Sequence, residues 1–317
     1  MKNKCSFLLA LISLAFLLIS CSPTKQDQAD TQYYYQFTDS TEKTVKLKSK
    51  PEKVAILFSS YAQMWTDAGG KISVTVGDSI KRGFVDEDTV IVDTGSGHTT
   101  INTELLVASE VDLVIGTADY GIQSEVCGFI DSLGIPSALF KVDSFEDYLE
   151  VFKIFTDICG TPMRYEQLGT DIKHKIDSLL KTASENPDLF DRNMLFIRAG
   201  SSARSTKAKK AEDHFACAML EELGMHNIAD SAPLLYDSLS LEEIIKNDPE
   251  YIFISVMGDE EATKSYIDSL FEKDGWSKLH AVKEGRVVFL PKELFHYKPN
   301  SAWADAYEYL IKIICAE

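Results

Sequence analysis

The sequence predicts an α/β protein made of two α/β blocks with one long helix between them. Short apolar segments alternate with amphipathic segments over residues 54–141, which is typical of a mainly parallel sheet covered by helices. The same alternation returns after residue 191, and no sequence repeat links the two blocks. Between them, residues 162–183 carry apolar side chains at helical spacing, which predicts a helix of roughly 33 Å. A helix of that length is better suited to a rigid strut than to an ordinary crossover.

Each element of this prediction follows from local periodicity and from residues that end helices and turns. Alternating apolar and polar residues over 33–51, around a polar turn at 39–42, predict a β-hairpin. In the first block, strands are predicted at 54–58, 72–76, 90–92, 113–115 and 138–141, and helices at 62–68, 103–109, 123–133 and 144–159. In the second block, strands are predicted at 194–198, 251–256 and 286–290, and helices at 211–223, 241–247, 262–271 and 301–314.

The N-terminus predicts export. Lys2 and Lys4 precede an apolar run at 7–19 that is too short to span a bilayer comfortably, which is typical of a signal peptide. The stretch L-I-S-C that ends at Cys21 resembles a bacterial lipobox, and this resemblance implies that Cys21 is lipidated and becomes the mature N-terminus. The predicted division of the chain is a signal peptide (1–20), a lipid-anchored flexible tether (21–36), an N-terminal lobe (37–160), a connecting helix (161–186) and a C-terminal lobe (187–317).

Charge and cysteine content restrict the classes of partner. The net charge of −17 argues against nucleic acid or an anionic lipid surface as the partner and suits a soluble carrier that meets a basic surface. Four cysteines remain outside the signal peptide and the lipobox, and they show no CxxC or Cys-His spacing that would predict a zinc cluster. Buried thiols are expected and a disulfide stays open for these four residues, which are Cys127, Cys159, Cys217 and Cys315.

Ligands of open α/β sheets bind beyond the carboxyl ends of the strands, so the loops at those ends contain the candidate site residues. One such loop is strongly basic, and guanidinium and ammonium groups over a cleft attract anionic ligands. A solvated basic loop is the alternative interpretation. The basic residues concerned are Arg198, Arg204, Lys207, Lys209 and Lys210.

Other cleft loops carry possible metal ligands and aromatic residues. His296 and Tyr297 follow the last predicted strand, and both residue types ligate iron, so they could complete a ferric complex or hold haem. A buried, hydrogen-bonded histidine is the alternative, and aromatic residues at such positions are as often part of the core. The further candidates are Ser60, Tyr61, His98, Tyr120, His214 and Trp303.

Several short phrases occur in an order and at separations that resemble the bacterial substrate-binding proteins for siderophores, haem and cobalamin. The resemblance covers nearly all of the chain from residue 37 onwards. Val111 and Met225 stand where that family usually has Pro and Gly. The phrases are N-T-E-L-L at 102–106, V-D-L-V-I at 111–115, L-G-M-H-N-I-A at 223–229, S-L-E-E-I-I at 240–245, D-P-E-Y-I at 248–252, W-S-K-L at 276–279 and A-V-K-E-G-R-V at 281–287.

The resemblance implies two Rossmann-like α/β lobes joined by a single long backbone helix, with the ligand cleft between the lobes. It also implies a monomeric, non-enzymatic carrier without an intrinsic cofactor, anchored to the bacterial cell membrane and facing the periplasm or the cell exterior. Its ligand would be an iron complex, foremost a siderophore, with haem or cobalamin as alternatives. Its partner would be an ABC permease dimer with its ATPase subunits. In that family, one exposed carboxylate on each lobe docks in an arginine pocket of one permease subunit. The matching positions are Glu104 and Glu242.

Two other functions compete with this interpretation. Apolar residues before Asp93-Thr94-Gly95-Ser96 resemble an aspartic-peptidase signature, but that chemistry needs a second aspartate, and no further D-T-G or D-S-G occurs in the chain. A binding protein for free zinc or manganese also has two lobes joined by a helix. It would need several histidines and carboxylates that converge, whereas the six histidines here are scattered and form no His-rich loop.

Overall fold

The computed structural model describes most of the chain outside its N-terminus. The described residues form two sheets, an N-terminal hairpin and the helices around them. Within the described part, no helix is both long and apolar enough to span a lipid bilayer. The described residues are 33–95, 97, 99–186, 192–231 and 240–315.

Some sequence-based predictions fall outside the described residues. They are the signal peptide at 1–20, the lipidation site Cys21, most of the tether at 21–36, and His98. The boundary predicted between the connecting helix and the C-terminal lobe also lies next to residues 187–191, which are not described. These assignments stay predictions.

The N-terminal sheet has five parallel strands in the order β5-β4-β3-β6-β7. All five residues of Leu113–Thr117 are buried, as expected for a strand with helices on both faces of its sheet. The five predicted strands of this block are all present, and a short helix that was not predicted, Gly77–Lys81, follows the second of them. The elements are β3 Val54–Ile56, α1 Ser59–Asp67, β4 Val74–Val76, α2 Gly77–Lys81, β5 Val90–Asp93, α3 Thr103–Ala108, β6 Leu113–Thr117, α4 Gly121–Ser132, β7 Ser137–Phe140 and α5 Phe145–Cys159.

The predicted hairpin precedes this sheet, with β1 at Tyr35–Thr38 and β2 at Thr44–Leu47. The Asp39 carboxylate accepts hydrogen bonds from the backbone N–H groups of Thr41 and Lys43, which closes the turn. Its second oxygen accepts from the backbone N–H of Leu139 in β7, 2.9 Å away. One buried carboxylate therefore shapes the turn and fixes the hairpin to the edge of the sheet.

The predicted strut is a helical segment from residue 162 to residue 184. It begins as α6 Pro162–Tyr165, passes through a π-helical turn at Glu166–Thr170 and continues as α7 Asp171–Ser184. The Tyr148 hydroxyl of α5 donates to the Leu168 carbonyl at the wider turn, 2.8 Å away. The helix therefore spans the distance between the sheets without a break, and the π turn is fixed by a side chain of the N-terminal lobe.

The C-terminal sheet has the parallel order β10-β8-β11-β12, and the short strand β9 pairs antiparallel with β8. The predicted strands correspond to β8, β11 and β12, whereas β9 and β10 are too short to give a periodic signal. The elements are β8 Arg192–Ala199, β9 Lys207–Ala208, α8 Phe215–Glu222, β10 Met225–Asn227, α9 Ile228–Ser231, α10 Leu241–Asn247, β11 Tyr251–Val256, α11 Glu260–Phe271, α12 His280–Lys283, β12 Val287–Leu290, α13 Lys292–Phe295 and α14 Trp303–Cys315.

Two helices predicted for this block begin later than their apolar pattern suggests. The prediction of one helix over 211–223 is wrong, because a short 3-10 turn at Ala211–Asp213 is followed by extended backbone at His214, and α8 begins only at Phe215. The last helix begins at Trp303 instead of residue 301, since Asn300 has a positive φ of 53°. Both changes of direction bring side chains to the space between the sheets.

A second stretch of chain reaches from the C-terminal sheet to the N-terminal half, at residues 296–302. The Asn300 side-chain amide donates to the Ser60 carbonyl (2.9 Å) and to the Gln63 side chain (2.8 Å), both in α1. Lys298 forms an ion pair with Asp143 beyond β7, 3.0 Å apart. The last helix, α14, then packs along α7, so one hydrophobic core runs through both halves of the molecule.

Candidate ligand-binding cleft

The carboxyl ends of the two parallel sheets meet at a cavity of about 390 Å³. In each sheet, the strand order reverses at one strand, which is β3 in the first sheet and β8 in the second. The cavity lies beside these two strands, at the place where open α/β sheets bind ligands. The N-terminal half lines it with Phe58, Ser59, Ser60, Asp78, Asp119, Tyr120 and Asp143, and the C-terminal half with Arg198, Asp213, His214, Phe215, His296, Tyr297 and Lys298.

Arg198, which was predicted from the basic loop, is the cation of the C-terminal wall. It stands near the end of β8 with its side chain half-buried, and within the described residues it has no hydrogen bond or ion pair. Burial lowers the pKa of its guanidinium, although the group stays charged at neutral pH. A half-buried charge without a partner is unfavourable, so an anionic group of a ligand that pairs with Arg198 would be stabilised in this cavity.

Two histidines stand beside Arg198 on the same wall. The His214 ring lies between Phe196 and Phe215, with ring centroids 4.7 and 4.9 Å away, and its Nδ1 accepts from the Ala216 N–H at the start of α8. Burial, followed by the charge of Arg198, lowers the pKa of His214 to about 3. The same causes lower the pKa of His296 to about 4, so both imidazoles are neutral at pH 7.

His296 and Tyr297 differ in their capacity to bind a metal. The Nδ1 of His296 is buried without a hydrogen-bond partner, so this neutral imidazole keeps an unused lone pair. The Tyr297 ring stacks on the Arg82 guanidinium, whose carbon lies 3.9 Å from the ring centroid, and burial raises the pKa of its hydroxyl. A raised pKa disfavours the phenolate that binds ferric iron. His296 is therefore the better ligand of this pair.

Arg82 belongs to the site although sequence reasoning missed it. It follows the short helix α2, and its guanidinium donates to the Ser59 and Ser60 hydroxyls at 3.3 and 3.4 Å. Those two serines line the cavity, so Arg82 fixes the position of this part of the lining without belonging to it. The Tyr297 ring covers the guanidinium. Nothing in the surrounding sequence predicts this role, because a lone arginine in a short polar helix has the pattern of a surface residue.

The N-terminal wall is acidic, which sequence reasoning also missed. Asp143 is neutralised by Lys141 (2.6 Å) and by Lys298 of the opposite wall (3.0 Å). Asp78 forms an ion pair with the exposed Lys81, 3.6 Å away, and its charge also acts on the guanidinium of Arg82. Asp119 accepts a hydrogen bond from the Thr117 hydroxyl and forms no ion pair within the described residues. The loops that carry them were identified, but single aspartates in loops carry no distinctive signal.

Six of the candidate residues line the cavity, and the other candidates among the described residues lie elsewhere. Tyr61 and Trp303 are in the core, with 0% and 1% of their surfaces exposed, because each begins a helix that packs on the sheets. The basic side chains after Arg198 lie outside the cavity lining, because β9 runs antiparallel to β8 and carries them along the sheet edge. The residues in the lining are Ser60, Tyr120, Arg198, His214, His296 and Tyr297, and the basic residues outside it are Arg204, Lys207, Lys209 and Lys210.

The predicted docking residues lie in corresponding places of the two halves. Glu104 and Glu242 are exposed in the first turns of α3 and α10, and neither forms an ion pair within the described residues. Two residues beyond each glutamate, Leu106 and Ile244 are fully buried and anchor the helix. Each half thus presents one free carboxylate away from the cavity.

The D-T-G-S stretch shapes a loop. The Asp93 carboxylate accepts from the backbone N–H groups of Gly95 and Gly97, and only 7% of its surface is exposed. Gly97 has a φ of 77°, and an added Cβ would lie 2.3 Å from the Leu57 carbonyl oxygen, so only glycine fits. The carboxylate is therefore held by the backbone of its own loop.

The four cysteines outside the N-terminal region are free thiols. Cys127, Cys159 and Cys217 are buried and Cys315 is exposed. Burial raises the pKa values of Cys127 and Cys159 to about 11, which keeps these thiols protonated and unreactive. Among the described residues there is no group of three or more His, Cys, Asp or Glu side chains arranged to hold a metal ion.

Comparison with known proteins decides the family. Residues 54–294, which cover most of the chain and both sheets, match the model of the family described as "Periplasmic binding protein". The chain is a member of the periplasmic binding protein family. Members of this family bind solutes for transport and are not enzymes, which removes the peptidase interpretation of Asp93.

Individual relatives of this family member are distant. A Bacillus subtilis protein named as an ABC transporter substrate-binding lipoprotein, YhfQ, is 19% identical over 96% of this chain and 95% of its own length. The periplasmic haem-binding protein RhuT of Roseiflexus sp. RS-1 has a TM-score of 0.66 at 16% identity, covering 83% of this chain and 97% of its own. An Fe³⁺-hydroxamate transport protein of Saccharomonospora viridis has a TM-score of 0.66 at 17% identity, covering 89% and 99%. These structures share the two-lobed fold, and their ligands differ.

Proposed function

We propose that this periplasmic binding protein is the lipid-anchored solute-binding component of an ABC importer, and that it binds an iron complex in the cavity between the sheets. The observation that carries the proposal is Arg198, an unpaired, half-buried cation on the wall of a cavity of about 390 Å³. A ferric siderophore is the foremost ligand. Haem and cobalamin are the alternatives, and the haem-binding and Fe³⁺-hydroxamate transport proteins of the same fold support this class.

The cavity fits a chelated metal better than a bare ion. Zinc and manganese sites hold their ion with several histidines and carboxylates at about 2 Å. The cavity lining contains two histidines and four aspartates, but no three such side chains among the described residues are arranged to hold an ion. It also offers a guanidinium, hydroxyls and aromatic rings spread over two walls. Such groups recognise the periphery of an organic complex, by hydrogen bonds and stacking.

His296 adds a direct contact to metal in this proposal. In a complex whose organic part leaves one iron position open, the neutral imidazole of His296, which lines the cavity, supplies the missing ligand. In a complex with a full coordination sphere, the same imidazole accepts a hydrogen bond from the ligand. Tyr297 then acts through its ring, which is already held by Arg82.

Anchoring and delivery complete the proposed function. Lipidation at Cys21 would hold the body at the membrane through the polar tether, as the name of the B. subtilis relative also suggests. Glu104 and Glu242, one in each half, would dock on cationic pockets of the two permease subunits. Because both are exposed, this charge complementarity would mainly set orientation and encounter rate.

The test is an equilibrium titration of the chain without its first 21 residues, using quenching of tryptophan fluorescence. Trp303 reports on the cavity, since its ring contacts Phe215 of the lining at 5.4 Å. The panel contains ferric trihydroxamate, ferric triscatecholate, haem and cobalamin. We expect submicromolar binding of one member, and a loss of at least tenfold in Arg198→Gln, equivalent to about 1.4 kcal/mol.

Lys273→Gln is the matched control, because this exposed lysine of the same half lies outside the cavity lining. Its affinity should equal that of the unaltered protein. Failure of every member of the panel to bind, while Zn²⁺ or Mn²⁺ alone binds tightly, would refute the proposed ligand class.

A further inference from the structure

The two walls of the cavity carry opposite charges that do not meet. The N-terminal wall presents the carboxylates of Asp78 and Asp119, and the C-terminal wall presents the guanidinium of Arg198. Within the described residues, neither aspartate lies within 4.0 Å of the Arg198 side chain. The charges therefore face one cavity from opposite sides without forming an ion pair.

The remaining charges of the lining are already paired or held. Lys298 and Asp143 neutralise each other across the cleft, with Lys141 as a second partner of the aspartate. Asp213 accepts a hydrogen bond from the Lys210 backbone N–H in its own loop. Arg82 lies behind the lining, where Tyr297 covers it and the serine hydroxyls of the cavity floor accept its hydrogen bonds. The cavity therefore presents a ligand with a negatively charged N-terminal wall and a positively charged C-terminal wall.

The pKa of Tyr120 indicates that the charges of both walls act on the same part of the cavity. Its pKa is raised first by burial and then by Asp119 and Asp78, whereas Arg198 opposes the rise. Charges of opposite sign thus act on one hydroxyl at the cavity surface. A small molecule in the cavity would lie within range of the same charges.

We infer that the ligand is a dipolar metal complex, with a cationic group that faces Asp119 and Asp78 and an anionic group that faces Arg198. This inference rests on the proposed function and names the kind of chelate within it. Arg198 and Asp119 form no ion pair within the described residues, and the ion pair of Asp78 with the exposed Lys81 is long, at 3.6 Å. Contacts of the ligand with both walls therefore add affinity and together fix its orientation. A ligand with anionic groups alone would meet Arg198 favourably and the two aspartates unfavourably.

A matched series of linear ferric trihydroxamates tests the inference. The first carries one terminal ammonium and one terminal carboxylate, the second has its amine acetylated, and the third has its carboxylate converted to an amide. We expect the dipolar complex to bind most tightly, by about tenfold over each of the others, and the two losses to be independent.

Single-residue variants assign each half of the preference. Asp119→Asn should remove the discrimination against the acetylated complex and leave the discrimination against the amide. Arg198→Gln should do the reverse. Glu125→Gln, an exposed carboxylate on α4 outside the cavity lining, serves as the control and should change neither ratio.

The outcomes separate the inference from the function on which it rests. Equal affinity for all three complexes overturns the dipolar inference and leaves the carrier of ferric chelates standing. Tighter binding of haem than of the whole series also overturns it, because haem presents only carboxylates. Absence of binding to every chelate overturns the proposed function itself.

Discussion

His214 illustrates how burial sets the charge of a single residue in the cleft. In the unfolded chain an imidazole titrates near pH 6.5, whereas burial and Arg198 lower the pKa of His214 in the folded protein to about 3. Between these values the unfolded chain binds a proton that the folded protein excludes. The stabilising contribution is complete above pH 6.5 and is lost as the pH falls, by up to about 1.4 kcal/mol per pH unit.

We predict that His214→Asn weakens this dependence on pH. The asparagine oxygen can replace Nδ1 as acceptor for the Ala216 N–H at the start of α8, but the side chain does not titrate. Urea unfolding at pH 7.0 and pH 4.5 measures the effect, and the stability lost between the two should be smaller in the variant by about 2 to 3 kcal/mol.

His174→Asn is the control, because this histidine is exposed on the connecting helix. Its loss of stability between the two pH values should match that of the unaltered protein. Glu221, whose pKa is raised to about 7 by burial and by Asp230, acts in the opposite direction but is present in every variant. Equal losses for His214→Asn and the unaltered protein would refute the account of His214.

Site residues are predictable from the sequence where their neighbours form a distinctive pattern. Arg198 and His296 follow apolar strands, so both were assigned to the cleft in advance. Asp119 and Arg82 face the same region, but each is a single polar residue in a short loop or helix, which has the pattern of any surface. Tyr61 is the reverse case, because the sequence predicts it in the cleft and the structure does not place it there. Its ring packs into the core because α1 turns it away from the cavity.

At the scale of elements, the π turn of the connecting helix depends on one hydrogen bond. The wider turn at Glu166–Thr170 leaves the Leu168 carbonyl to accept from the Tyr148 hydroxyl of α5. We predict that Tyr148→Phe destabilises the protein by about 1 kcal/mol, because the part-buried hydrogen bond to the Leu168 carbonyl is lost. Chemical unfolding measures the loss, and circular dichroism checks that the helix content is unchanged.

Tyr266→Phe is the matched change, since no hydrogen bond of the Tyr266 hydroxyl is found among the described residues. Its effect should stay below about 0.5 kcal/mol, as for a surface substitution. If both variants lost the same free energy of unfolding, the hydrogen bond to Leu168 would not stabilise the turn.

Elements with a clear period were predicted well, and irregular ones were not. The length of the connecting helix follows from apolar residues at 165, 168, 172, 176 and 179. Its π turn does not, because an i+5 turn needs a partner from another helix and leaves no local pattern. The break at His214 was missed for a similar reason, since the apolar run continues through a residue that the packing of Phe196 and Phe215 holds extended.

At the scale of the whole molecule, two connections hold the lobes around the cleft. The helix from Pro162 to Ser184 spans them on one side, and residues 296–302 tie the C-terminal sheet to α1 through Asn300. We expect these connections to keep Glu104 and Glu242, the two carboxylates proposed to dock on a permease, at a constant separation while the cavity binds its ligand. This geometry suits a carrier that presents the same pair of charges to a permease on every cycle.

Measuring uptake and ligand affinity in Glu104→Ala/Glu242→Ala tests the central claim most directly. Cells that depend on this protein are given the radiolabelled complex identified in the titration, and the purified variant is titrated with the same complex. Glu125→Ala/Glu261→Ala is the control, with one exposed glutamate from each half. The account predicts unchanged affinity in both variants and loss of uptake in the docking variant alone. Normal uptake with the docking variant, or a loss of uptake explained by weaker ligand binding, would contradict it.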